Sequence, residues 1–288
     1  MSAVISAATV KELRERTGAG MMECKNALVE AQGNLDEAIT VLRKRGVAKA
    51  AKRADKVASE GVVVIRASDD KKHAIMVEIN SETDFVARDE SFNAFAQFVA
   101  TESLLAKATD FSTLPAVEEA RQQLAHQLGE NIQLRRAVIL EASGCVAAYN
   151  HGSRIGVLVA LDKADEALGQ DIAMHIAASN PQSIDGTDID PLLIEKEREI
   201  FRAQAEQSGK PADIIDKMID GRIAKFVKEI CLLDQPFVRN PDQTVAALLK
   251  ASGAKVIAFA RYEVGEGIEK EVVDFAEEVR AQVSAQES

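Results

Sequence analysis

Residues Ser81-Glu82-Thr83-Asp84-Phe85-Val86-Ala87-Arg88 gather hydroxyls, carboxylates, an aromatic ring and a guanidinium in one short run. A carboxylate can accept protons or hydrogen bonds, and a ring beside it offers a rigid apolar probe. Acid–base catalysis would need a second titratable group held against the first, and no such pair stands out in the sequence. The pattern alone predicts that Thr83 or Asp84 caps the following helix and that Phe85 packs inward, because buried Phe is the default. Met21-Met22 is the second notable feature. One of the two must face away from its own helix bundle, where a flexible thioether suits adaptable contacts, although core filling is the usual role. The third is His151, in the hairpin tip His151-Gly152-Ser153; a lone loop histidine is ordinarily just exposed.

Other chemistry is missing. His73, His126 and His175 are scattered, and His175 sits in an apolar run as a packing residue. There is no HExxH, GxSxG or GxxxxGK[ST] pattern. Thr17-Gly18-Ala19-Gly20 lies between two helical stretches, follows no strand and lacks the lysine of a phosphate loop, so it reads as a turn. Cys24, Cys145 and Cys231 are widely spaced and odd in number, as expected of free thiols in a reducing compartment. The expectation is a protein that is not an enzyme, with no catalytic residues, metal ligands or cofactor.

The 288 residues suffice for two or three domains, and 47% of them are apolar. Net charge is −11, unevenly spread. Residues 1–56 hold 11 Lys/Arg against 7 Asp/Glu, a net of +4, and the remainder nets −15. An acidic body repels phosphate backbones, so direct nucleic-acid binding is not expected. The start of the chain lacks a signal-peptide pattern, and no apolar stretch is long enough to span a bilayer. A cytoplasmic protein is expected.

The elements that must position these residues follow from periodicity. Thr9-Val10-Lys11-Glu12 reads as a capping box opening a first helix. Met21, Cys24, Leu28 and Ala31 mark a second, and Asn34 caps a third that Gly46 should end. Residues 47–57 then read as a basic, Ala-rich linker, with a helical conformation open to it. Beyond it the period changes to two. Two strands around Ser68-Asp69-Asp70-Lys71, two helices and a strand ending near Leu140 are expected. The same order recurs from Gly144 to Val264, interrupted by two helices that form an antiparallel arm. Val272, Phe275, Ala276, Val279 and Val283 mark a C-terminal amphipathic helix. The fold class is therefore α+β, in four parts: bundle and linker 1–56, core subdomain 57–142, a related subdomain 143–265 carrying the arm 190–232, and a helical module 266–288.

Several long stretches carry a family resemblance. VKELRERTGAGMMECKNAL (Val10–Leu28), GNLDEAI (Gly33–Ile39) and TDFVARDESF (Thr83–Phe92) closely resemble signatures of the elongation factor Ts family. HGSRIGVLVA (His151–Ala160), DIAMHIAAS (Asp171–Ser179) and YEVGEGIEK (Tyr262–Lys270) resemble further segments of it. The resemblance implies a ubiquitin-associated-like N-terminal bundle. It implies a translation factor that binds elongation factor Tu, both GDP-bound and nucleotide-free, and promotes exchange of GDP for GTP. It places Thr83, Asp84, Phe85 and Val86 in a segment that intrudes near the partner's Mg²⁺ site. Arg14, Met21 and Met22 would meet a helix of the partner's nucleotide-binding domain, and His151 would contact the same domain. It leaves open pairing of two copies through the arm.

Overall fold

The computed structural model describes residues 5–53, 55–206 and 211–269. Three helices open the chain: α1 (Ala7–Thr17), α2 (Met21–Glu30) and α3 (Leu35–Arg53). They close around Val10, Leu13, Cys24, Ala27, Leu28, Ala38 and Leu42. Their ends partly depart from expectation. Ser6, not Thr9, caps α1: its Oγ accepts from Thr9 N at 3.1 Å. The earlier start adds Ala7 and Ala8, both strong helix formers, and leaves Thr9 inside the helix. Asn34 does cap α3, its Oδ1 accepting from Asp36 N and Glu37 N at 3.0 and 3.2 Å.

Gly46 does not end α3. The helix runs on to Arg53, through the stretch read as a linker. One interior glycine costs about 1 kcal/mol, which the Ala-rich residues beyond it offset. The glycine is there for packing. A Cβ at Gly46 would lie 2.8 Å from His126 Cδ2, on a helix of the next unit.

That unit runs β1 (Glu60–Ala67), β2 (His73–Ser81), α4 (Asp84–Ala87), α5 (Glu90–Ala106), α6 (Pro115–Leu128) and β3 (Gln133–Glu141). The strands form an antiparallel sheet in the order β1-β2-β3. Alternation divides its faces. Val62, Val64, Ile75, Val77 and Ile79 meet Phe92, Phe95, Val99 and Val117 of the helices. Val63, Ala74 and Met76 point the other way. Full burial of each large apolar side chain here is worth about 1.5–3 kcal/mol.

A second sheet, β4 (Cys145–His151), β5 (Ile155–Leu161) and β8 (Val256–Glu263), has the same order and sense. Between β5 and β8 come α7 (Glu166–Ser179), α8 (Pro191–Glu206), α9 (Ala212–Ile230), a small hairpin of β6 (Pro236–Phe237) and β7 (Asn240–Thr244), and α10 (Val245–Ser252). The hairpin was not anticipated: two and five residues with two prolines give no strand period. Val157, Val159 and Leu161 pack on Ile172, Ile176, Val245 and Leu249. Val146, Leu158 and Ala160 pack on Val63, Ala74 and Met76 of the first sheet. The body is therefore layered helix, sheet, sheet, helix. Gly156 lies where the two sheets approach closely: a Cβ there would sit 2.5 Å from Val63 Cγ1 and 2.7 Å from Met76 Sδ.

Helices α8 and α9 form the arm. Ile194, Phe201 and Ala205 meet Ile215, Ile219, Ile223 and Val227. Arg198–Asp220 and Arg202–Asp216 ion pairs, at 2.8 and 3.6 Å, fix the antiparallel register. Most of the Ser208–Pro211 turn and the amphipathic stretch Val272–Val283 lie outside the described residues. All three cysteines are buried free thiols.

Candidate functional site

Strand β2 ends at Ser81, and the chain turns at once into the single helical turn α4. Thr83 caps it, Oγ1 accepting from Val86 N at 3.4 Å. A second carboxylate holds the cap. Glu130, in the α6–β3 connection, accepts from Glu82 N and Thr83 N, both at 3.1 Å, and from Thr83 Oγ1 at 2.6 Å. Glu82 answers by accepting from Asn131 N at 2.6 Å. The Arg53 guanidinium, at the end of α3, sits 3.2 Å from Glu82 and also donates to Gly129 O. Two connections and the last turn of α3 are thereby strapped together.

The strap decides which side chain goes inside. Val86 is 9% exposed and joins the helix–sheet core, whereas Phe85 is 81% exposed. The expectation that Phe85 packs inward fails: Val86 takes the inward position, and one turn of helix has room for one. Asp84 pairs with Arg88 at 2.9 Å on the outer surface. Asp89 caps α5 through Ser91 N and Phe92 N, at 2.8 and 3.2 Å.

The bundle carries the next group. Met21 and Met22, in the first turn of α2, are 44% and 65% exposed. Neither fills the core, because Cys24, Ala27 and Leu28 already face inward. Arg14, near the end of α1, is exposed. The bundle is held on α6 by Gly46 against His126, an Arg43–Glu119 ion pair and His126 Nε2 at 3.9 Å from Glu23. Asn131 Nδ2 adds a 2.8 Å bond to Lys56 O. Helix α3 is thus the physical link from the methionines to the Phe85 turn.

His151 ends β4 and is exposed, with Tyr149 Oη 3.2 Å from its Nδ1. Its hairpin is pinned to β1: Val63 N donates to Ser153 O at 2.8 Å, and Asn150 Nδ2 to Val63 O at 3.1 Å. His151, the Phe85 turn and the methionines therefore sit on one connected body, but on separate elements.

Sequence reasoning missed Arg53, Glu82 and Glu130 as a set, and it missed a buried ionic cluster. Glu78 is fully buried on the sheet–sheet side of β2. It accepts from Arg135 Nη1, Arg136 Nε and Gly265 N at 2.8, 2.6 and 2.8 Å. Burial pushes its carboxyl up, but the Gly265 amide and the two guanidiniums outweigh this and hold it below the ordinary value. Arg136 also stacks 4.1 Å over the Tyr262 ring. A glutamate inside the apolar run Met76–Ile79 and adjacent arginines in a strand were the available signals.

Among the described residues, no group of three or more His, Cys, Asp or Glu could hold a metal ion. No helix of the described residues is long and apolar enough to cross a membrane. The braced turn and the docked bundle thus hold three large apolar side chains, Phe85, Met21 and Met22, out in solvent. A family model described as elongation factor TS matches residues 82–266. Proteins named elongation factor Ts from Alcanivorax borkumensis and Hahella chejuensis are each 57% identical to this chain. The first match covers 94% of this chain and 98% of the relative, the second 98% and 99%. One from Legionella pneumophila is 54% identical, covering 97% and 98%. The chain belongs to the elongation factor Ts family of translation elongation factors.

Proposed function

We propose that this chain binds elongation factor Tu, GDP-bound and nucleotide-free, and promotes exchange of GDP for GTP without covalent chemistry. The observation that carries the reading is Phe85: a large ring, 81% exposed, on a turn that four hydrogen bonds and an ion pair keep from collapsing. A GTPase holds GDP through backbone amides around the phosphates and a bridging Mg²⁺. Phe85 wedges between partner helices and shifts the groups that support that ion. Asp84, beside it, competes for local hydrogen bonds once the partner displaces Arg88. Losing the ion uncovers phosphate repulsion, and GDP leaves.

Met21, Met22 and Arg14 supply anchoring away from the nucleotide, with His151 as a further contact. Linkage is reciprocal: a factor that prefers the empty partner weakens GDP by the same ratio. A ten-thousandfold effect needs about 5.5 kcal/mol of differential binding. A few buried anchors supply that much. We place the protein in the cytoplasm, where translation occurs. We also retain the four-part division at 1–56, 57–142, 143–265 and 266–288. Its support is that the bundle and each sheet's helix-covered face have separate apolar clusters, with the arm's as a further one inside the third part; nearly all of 266–288 lies outside the described residues. The arm remains a surface through which two copies could pair.

The test is release of a fluorescent GDP from purified elongation factor Tu at fixed Mg²⁺. Acceleration by the chain supports the reading. Equal affinity for the GDP-loaded and empty partner would sink it.

A further inference from the structure

We infer that Glu130 is a positioning residue for nucleotide exchange, acting through the Phe85 turn, which rests on the exchange reading above. Helix α4 has four residues, far too few to hold a helical turn by its own hydrogen bonding. Its geometry must be imposed from outside. Glu130 does this with both carboxylate oxygens: one takes the two successive amides of Glu82 and Thr83, the other the Thr83 hydroxyl. The hydroxyl, turned by that bond, still accepts from Val86 N. Glu130 reaches the turn because Gly129 ends α6 in the left-handed region, with φ of 71°. Its hydrogen bonds go to Glu82 and Thr83, the two residues ahead of the turn. It sets which of Phe85 and Val86 faces out.

An acid suits this task best: three donors converge on it, whereas an amide would spend its one oxygen on the two backbone N–H groups and turn its NH₂ on the Thr83 hydroxyl, which would then have to accept instead of donate. The strap is also shared, since Glu82 is held in turn by Asn131 N and Arg53. Loss of Glu130 therefore frees the turn without dismantling the core: Val117, Leu124 and Ile132 remain packed independently of it.

The experiment uses the full chain as wild type, Glu130→Ala, Glu130→Gln, Phe85→Ala and Phe85→Ala/Glu130→Ala. Three quantities are read: GDP release at saturating factor, affinity for nucleotide-free elongation factor Tu, and hydrogen exchange of the Thr83 and Val86 amides in the free chain. The expected result is a split. Glu130→Ala slows saturated release about tenfold or more and changes affinity less than about threefold, and both amides exchange faster. Glu130→Gln falls between Ala and wild type. The double variant releases GDP at the Phe85→Ala rate, because the brace has nothing left to aim. Wild-type release by Glu130→Ala overturns the inference, as does an additive loss in the double variant. A parallel fall of rate and affinity with melting temperature also overturns it, since that marks a merely structural role. An inert wild-type chain instead removes the exchange reading itself, so the two failures are distinct.

Discussion

Gly46 and His126 are made for each other: the ring occupies the space where any other residue at position 46 would carry its Cβ, 2.8 Å from Cδ2 and 3.0 Å from Cγ. A glycine in mid-helix ordinarily invites replacement by alanine, worth about 1 kcal/mol in propensity. Here the clash reverses the sign. Gly46→Ala should destabilise bundle docking by about 1–3 kcal/mol, read as faster amide exchange along α3 and α6. Gly221→Ala, in α9, is the control: a Cβ there meets nothing within 4 Å, so the arm should gain protection. Similar responses at both sites would discredit the contact.

Phe85→Ala should leave the melting curve unchanged, because the ring touches little in the free protein. Release of GDP from the complex should slow about ten- to a hundredfold, the equivalent of the about 1.5–3 kcal/mol gained by burying one phenylalanine. Stopped-flow measurement with a fluorescent nucleotide checks it, and unchanged release would remove the wedge.

Met22→Asp should act on association instead. A charge in place of the more exposed methionine weakens the complex and raises its dissociation rate, with saturated release preserved. Arg14→Ala should cost less, and its effect should shrink with added salt, as screening requires. Titration calorimetry at two salt concentrations separates the two variants.

His175 gives a pH signature. It is buried, with Nε2 2.9 Å from Gln235 Oε1 and Nδ1 accepting from Val238 N at 3.2 Å. Burial lowers its pKa, and the Gln235 bond opposes that only in part. The unfolded chain takes up a proton below about pH 6.5, where the folded chain does not yet. Stability from this group is therefore complete above about pH 6.5 and is lost as pH falls toward the lower folded pKa. Urea midpoints should drop between about pH 7.5 and about pH 5, and His175→Gln should flatten that slope.

Much of the fold was legible because it is written in short periods. Apolar runs in β2 and β5, strands buried on both faces, and helical spacing in α5 and α7 need only neighbouring residues. The Thr83 cap was legible for the same reason. The choice between Phe85 and Val86 was not, since a four-residue helix has no period to reveal its inner face. Glu130 was hidden because its bonds reach 47 and 48 positions back along the chain. Gly46 misled because a helix-stop rule looks only along the chain, whereas its reason lies across the gap on α6. Ser6 outranked Thr9 as a cap by an equal chemistry one turn earlier.

Where β5 crosses the first sheet at Gly156, not even a methyl group fits between the two halves of the body. Opening a hinge along the middle would expose the apolar seam of Val63, Met76, Val146, Leu158 and Ala160 to water, so bending there carries a hydrophobic cost. The His151 hairpin, pinned to β1 across that seam, is thereby tied to the sheet from which the Phe85 turn projects.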